Sequence, residues 1–363
     1  MTTRITPDLI NGNLGLRNRL VNGSMLINQR GNTSFSIPSA TGTYICDNWI
    51  AAAVLGGGAI TISNNGAVPG GTGFTNSINC STTTTRTLGS SEYATIQTGI
   101  EGYRMIDFNF GSASAKTITL SFWVYASTTG SYSGSIMNAG NSRSYPFNYS
   151  VTSTFTWEQK TIVIPGDITG TWNNAANLGM RISFLLAGGS TYLGSANSWV
   201  ANNYFGTVGS AGIMGAVSRQ IAFAGVQVEI GPAASSFDFK GYAQDLADCQ
   251  RTFFEIDPSI TQRHFQIPVA ATTTTTAQGS VKFPVQMRIA PTALLQSGTA
   301  SQYALSIAGT TTLCSSVPTF NQATKDGATT TFTVASGLTA GQAGQAQTGS
   351  VSAGYLAWSA EML

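Results

Sequence analysis

The residues of this chain best suited to chemistry are aromatic rings set among amides. Trp199 is followed at short spacing by Asn202, Asn203 and Tyr204, with Asn197 just before it and Phe205 just after. Trp172 and Tyr192 sit in similar Gly/Asn-rich surroundings. Flat rings pack against the C–H faces of pyranose sugars, and amide side chains hydrogen-bond their hydroxyls. One candidate chemistry is therefore glycan binding through Trp199, Tyr204, Asn202 and Asn203. The same residues would also serve loop packing or contact with a neighbouring subunit, and that plainer role has the stronger claim.

Catalysis has thin support. His264 is the one histidine, flanked by Arg263 and Phe265, so a triad would have to converge on it. A solvent-facing or interface role suits it better. Glycoside hydrolysis needs two carboxylates flanking one bond, which distant strands can bring together. The chain has only 15 acidic residues, and Asp47, Asp245 and Asp248 read as structural. The glycine clusters at 56–58 and 70–73 lack the Lys-Ser/Thr and helix of a phosphate loop. Asp107 and Glu101 could lend oxygens to a structural Ca²⁺, yet no loop has the dense Asp/Asn spacing of a dedicated site. No catalytic residue, metal or cofactor is expected. Cys46, Cys80, Cys249 and Cys314 are few and irregularly spaced. They read as reduced, mostly buried thiols rather than a zinc site or disulfide framework.

Composition narrows the class further. At 363 residues the chain can hold two domains. Charged residues are 9% of it, against about a quarter in ordinary domains. With 42% apolar residues and a net charge of +2, disorder is a poor account and a folded β-rich protein a good one. The 17 basic residues are scattered, the densest group being Arg17 with Arg19, which argues against nucleic acid. No apolar run is long enough for a transmembrane helix, and residues 1–8 carry no signal-peptide core. Weak net charge removes self-repulsion and favours self-association.

The elements that must position these residues are short alternating runs broken by Gly, Asn, Ser and Thr. In 118–125, Ile118, Leu120, Phe122 and Val124 share one face, with Trp123 and Tyr125 on the other. In 103–110, Ile106, Phe108 and Phe110 alternate similarly, and 161–164 and 181–186 read as further strands. In 221–230, Ala222, Ala224, Val226, Val228 and Ile230 recur at period two, opposite Gln227 and Glu229. The expected fold is all-β: a jelly-roll β-sandwich over 21–240, one connecting amphipathic helix over 241–256, and a second, smaller β-sandwich over 257–363. Residues 1–20 read as an N-terminal arm. The helix stripe is Tyr242, Leu246, Cys249 and Phe253, with Gln244, Asp245, Asp248 and Arg251 facing away. In the last part, Val281, Phe283, Val285, Met287 and Ile289 predict an edge strand because of Pro284. Residues 272–276 predict an exposed strand or loop, 337–349 a flexible loop, and 355–362 a final strand.

Two motifs carry a resemblance. Leu20-Val-Asn-Gly-Ser-Met-Leu-Ile-Asn-Gln-Arg-Gly31 fits a pattern Leu-Ile-Asn-Gly-x-Phe-x-Ile-x-Gln-Arg-Gly, with Val21 and Met25 as variants. Tyr44, Asp47 and Trp49 fit Tyr-x-x-Asp-Arg-Trp, with Asn48 in place of the arginine. Gly225–Gly231, Phe237–Phe239, Cys249-Gln-Arg-Thr-Phe253-Phe254, 120–126 and 157–160 add to the match. Together they resemble a family of β-sandwich modules from bacteriophage tail fibres and related virion appendages, over roughly residues 20–256. The part from Phe283 to Glu361 resembles a β-domain that often follows such a sandwich.

The resemblance implies a jelly roll akin to carbohydrate-binding modules. It also implies a virion location after assembly in a host cytoplasm, a homotrimer, and contact with other tail or virion proteins and with host surface glycan. The expectation is a non-enzymatic tail fibre or receptor-binding subunit, without nucleic-acid binding or membrane insertion. A head-decoration, head-fibre or baseplate protein and a glycan-degrading enzyme with a binding module are the alternatives. Asn22, Gly23, Gln29, Arg30, Gly31, Asp47 and Trp49 are expected to be structural, with Arg30 pairing Asp47 near the sandwich floor and Trp49 filling the core.

Overall fold

Successive side chains leave a strand on opposite faces, so the alternating runs dictate where each strand packs. The computed structural model describes residues 17–37, 39–64, 66–258, 263–349 and 354–363. The chain divides into two compact units, Met1–Asp245 with Met362–Leu363, and Leu246–Glu361.

The first unit is a jelly roll of two six-stranded antiparallel sheets. In the first sheet the order is β1 (Ser34–Ile37), β4 (Ala59–Ser63), β5 (Ile78–Thr84), β14 (Gln220–Ile230), β7 (Ile118–Ala126) and β10 (Glu158–Ile164). In the second it is β2 (Ser39–Cys46), β3 (Trp49–Val54), β6 (Tyr93–Glu101), β11 (Leu178–Gly188), β8 (Gly130–Asn138) and β9 (Ser144–Val151). Two short strands, β12 (Leu193–Gly194) and β13 (Gly206–Thr207), pair in parallel. The inner faces share one core, in which Phe122 and Phe223 of the first sheet meet Phe184 of the second at ring separations of 5.0 and 4.5 Å. Each such ring contributes about 2–3 kcal/mol by leaving water.

β7 alternates as expected, with Ile118, Leu120, Phe122 and Val124 in the core and Trp123 and Tyr125 half-buried outside. β14 does not keep one period. Its register slips between Ala224 and Gln227, where Gly225 takes φ +56°. That bulge reverses the parity. Ile221 and Phe223 enter the core before it, and Val226 and Val228 after it. Residues 103–110 form no strand; they fold into 3₁₀ turns, Gly102–Arg104 and Ile106–Phe108, closed by Met105 N–H to Gly102 O and Phe108 N–H to Met105 O. Residues 17–20 are no arm either. Asn18, Arg19 and Leu20 are buried, and Asn18 accepts from the Val228 amide and donates to the Val226 carbonyl. The remainder of the expected arm, 1–16, lies outside the described residues.

The helix α1 (Tyr242–Gln250) is shorter and turned differently from the expected stripe. Tyr242 is exposed, whereas Asp245 is buried and accepts from the Asn22 amide at 3.2 Å. A buried amide needing an acceptor outweighs the apolar pattern here. After the helix the chain enters a strand, β15 (Phe253–Ile256).

In the second unit the larger sheet has seven strands. Their order is β20 (Thr310–Leu313), β19 (Tyr303–Ile307), β23 (Ala343–Thr348), β16 (His264–Ala271), β17 (Thr276–Lys282), β22 (Gly327–Thr333) and β21 (Thr319–Ala323). A three-stranded sheet of β15, β24 (Leu356–Ser359) and β18 (Leu294–Gln296) shares its core, around Phe265, Tyr303, Phe332 and Trp358. Residues 337–349 are thus not merely a loop, because they contain β23 between β16 and β19. The expected edge strand through Ile289 ends at Lys282, before Pro284, whose ring nitrogen has no proton to give a ladder. Phe283 and Met287 are still buried, from irregular backbone. Of the expected exposed strand or loop, residues 272–275 form the turn between β16 and β17, and Thr276 begins β17.

Candidate functional site

The opening motif is a hydrogen-bonded latch. Asn22 is fully buried at φ +54°. Its side-chain amide donates to the carbonyls of Ile27 and Asp47 at 2.8 Å and accepts from the Ile27 amide at 3.0 Å. Its own carbonyl accepts from the Trp49 indole at 2.8 Å, and Trp49 fills the core. Gly23 lies so close to β14 that a Cβ would stand 2.3 Å from the Val226 carbonyl. Gly31 makes an exposed turn at φ +64°. Asp47 is fully buried, and its hydrogen bonds come from the amide and side chain of Gln29 rather than from Arg30. Burial pushes the Asp47 carboxyl up; the Gln29 hydrogen bonds and the Arg30 charge pull it only part of the way back. Arg30 instead lies over the Tyr44 ring, 4.3 Å from its centre.

The loop carrying Trp199, Asn202, Asn203 and Tyr204 is bound to the edge strand β9. Val200 bridges Ser144, whose hydroxyl donates to the Asn202 carbonyl and accepts from the Tyr204 amide. The Trp199 ring packs on Phe110, Tyr145 and Trp172 at 5.8, 5.2 and 5.5 Å, and its indole N–H already bonds the Pro165 carbonyl. The Tyr204 ring covers Gly194. Asn202 accepts from the Asn203 amide. The four residues do come together, largely engaged in packing. Trp172 is buried, and Tyr192 and Phe205 stack at 4.9 Å.

Carboxylates of the first unit are similarly committed. Asp107 takes both ends of Arg19 at 2.7 and 2.8 Å. Asp167 pairs with Arg143 and accepts from the Trp172 indole at 3.1 Å. Burial raises the Asp107 and Asp167 carboxyls, but Arg19 and Arg143 overcome it and hold each below the usual range. Burial also raises Glu158, yet Lys160 and the amides of Ser153 and Thr152 bring it to about 2. Among the described residues no three His, Cys, Asp or Glu side chains gather as a metal site. His264 is exposed on β16, and all four cysteines are free and buried.

A row of partly exposed rings lies on the outward face of the first sheet. Trp123 and Tyr125 project from β7, and Trp157, just before β10, lies 5.5 Å from Tyr125. Phe155 completes the row at 6.1 Å from Tyr125 and is 60% exposed. Its φ of +54° is strained for a bulky residue. The Phe155 amide is tied to the Ala126 carbonyl at 2.8 Å, and Glu158 accepts from the amides of Thr152 and Ser153 to hold the loop. Opposite Trp123 and Tyr125 the neighbouring strand offers only Ala224 and Ala222. Beyond those alanines stand Asn79 and Gln220, whose amides lie 3.5 Å apart, and the Asn79 carbonyl has no donor among the described residues. Aromatic row, alanine floor and amide rim are thereby placed side by side. Strand alternation marked Trp123 and Tyr125 as outward. That Trp157, Phe155, Asn79 and Gln220 join them depends on strand register, which alternation does not give.

No family model matches the chain, and no curated protein matches it. Solved structures similar to it include a putative sugar binding protein from Bacteroides thetaiotaomicron, at 10% identity over 59% of this chain and 100% of that one, TM-score 0.33. A tailspike protein 4 enzymatically active domain of bacteriophage CBA120 aligns at 15% identity over 59% of this chain and 22% of that one, TM-score 0.30. A family 11 carbohydrate-binding module from Clostridium thermocellum, solved with a mixed-linked tetrasaccharide, aligns at 15% identity over 56% and 98% of the two chains, TM-score 0.26. The chain thus spans less than a quarter of that tailspike domain. Overlaps of this size transfer no residue role to this chain.

Proposed function

We propose that this chain is a non-catalytic glycan-binding protein of a phage appendage, a homotrimeric tail fibre or receptor-binding subunit. In this reading the outward face of β7, β10 and β14 receives the sugar. The observation that carries it is the row Trp123, Tyr125, Trp157 and Phe155 beside Asn79 and Gln220. Pyranose rings would lie on the aromatic row over the alanine floor, with hydroxyls meeting the amide rim. The commitment of Asp107, Asp167 and Glu158 to ion pairs supports a binding role over hydrolysis, which needs a protonated acid near neutral pH. The phage setting, the trimer and the virion partners rest on the sequence resemblance.

Host-glycan binding measured on Trp157→Ala and Trp199→Ala tests the reading. Losing one stacked ring costs about 1–1.5 kcal/mol, so Trp157→Ala is expected to bind roughly tenfold more weakly with an unchanged melting temperature. Trp199→Ala is expected to melt lower and to bind normally. The reverse pattern would sink the assignment of the face.

A further inference from the structure

We propose that Arg181, on the outward face of the second sheet, is a binding site for the carboxylate of an acidic sugar. Arg181 lies between Gly99 on β6, which has no side chain, and Met137 on β8. Its Nη1 donates to the Asn141 side-chain carbonyl at 2.8 Å, while its buried Nε has no acceptor. Two residues along the same face, Ser183 is fully buried and its hydroxyl is also unpartnered.

Other arginines of the first unit are treated differently by the fold. Arg19, Arg86 and Arg143 each meet a carboxylate, at Asp107, Glu92 and Asp167. Arg181 meets an amide oxygen, and the ionisable group that acts on it is the Tyr93 phenol, uncharged at neutral pH. Burial accordingly disfavours its charged form. A half-buried cation lacking a counter-ion among the described residues is an unmet electrostatic demand. Its one polar partner is held firmly: Asn141 sits at φ +53° in a turn whose Asn138 side chain accepts from the Ser142 and Arg143 amides.

A carboxylate meeting the guanidinium beside Asn141, where the side chain reaches solvent, would supply the missing charge through a charge-assisted hydrogen bond. Tyr93, on the same sheet, contacts Tyr192 and Phe205 at 4.9 and 4.8 Å. Tyr93, whose phenol acts on Arg181, is only half-buried, and the open side of its ring favours a saccharide over a plain acidic peptide as the bearer of the carboxylate. The inference rests on the glycan-binding reading but concerns the opposite sheet.

The test uses calorimetric titration of the full chain with a uronic-acid tetrasaccharide and with its carboxyl-reduced, neutral form. Wild type is expected to prefer the acidic form by roughly tenfold, with the preference weakening as salt rises. Arg181→Gln should abolish the preference, and Arg181→Lys, which keeps the charge, should retain part of it. If Arg181→Gln fails to fold, the lysine variant and the salt series decide. Equal affinity for both forms, a preference that survives Arg181→Gln, or equal binding of poly-glutamate would overturn the inference. Binding of the neutral form that is lost in Trp157→Ala would leave the wider glycan reading standing in each of those cases.

Discussion

Asn22 shows how much a single polar side chain can organise. Its left-handed backbone suits asparagine, and its amide joins the carbonyl and amide of Ile27 to the carbonyl of Asp47. Asn22→Ala should strand these groups in the interior and cost on the order of 3 kcal/mol, read as a lower midpoint in urea unfolding. The motif was legible as structural, since Asn-Gly and a buried tryptophan suit a tight latch. Its internal pairing was not. Gln29 and Arg30 are adjacent, so their side chains leave the backbone in different directions, and only the folded backbone decides which one meets Asp47. The result is that Gln29 serves the carboxylate while Arg30 covers Tyr44.

Strands were read well where alternation is unbroken, as along β7, and badly where a backbone device changes the count. Gly225 is such a device: a Cβ there would stand 2.1 Å from the Phe74 ring, and its positive φ favours glycine. Gly225→Val should therefore destabilise the first unit by more than about 3 kcal/mol, or leave no soluble protein. β23 was hidden for a related reason. A Cβ at Gly344 would lie 2.1 Å from the Ser306 carbonyl, so close strand packing demands a glycine that reads as loop. The aromatic face separates strain from stability in a measurable way. Asparagine tolerates the backbone that Phe155 adopts, so Phe155→Asn should melt no lower than wild type and still bind glycan several-fold more weakly. Parallel loss of stability and binding would show that the ring is structural.

On the scale of the whole molecule, the first unit surrounds its own core with ion pairs. Four carboxyls held below their ordinary range, Glu92, Asp107, Glu158 and Asp167, belong to it. A carboxyl whose folded pKa lies below its unfolded value binds fewer protons when folded. Its stabilisation is fully present above the unfolded value of about 4 and fades as pH falls through the folded one. Glu158, folded near 2, sets the lower end of that window. Asp47 works in the opposite sense, because burial raises it and protonation relieves the penalty, but it is one group against four. Calorimetric scans between about pH 5 and 2.5 should accordingly show the transition of the first unit moving down. Asp167→Asn should flatten that slope. A wild-type transition that stays in place would mean that these ion pairs persist in the unfolded chain or contribute nothing to the sandwich.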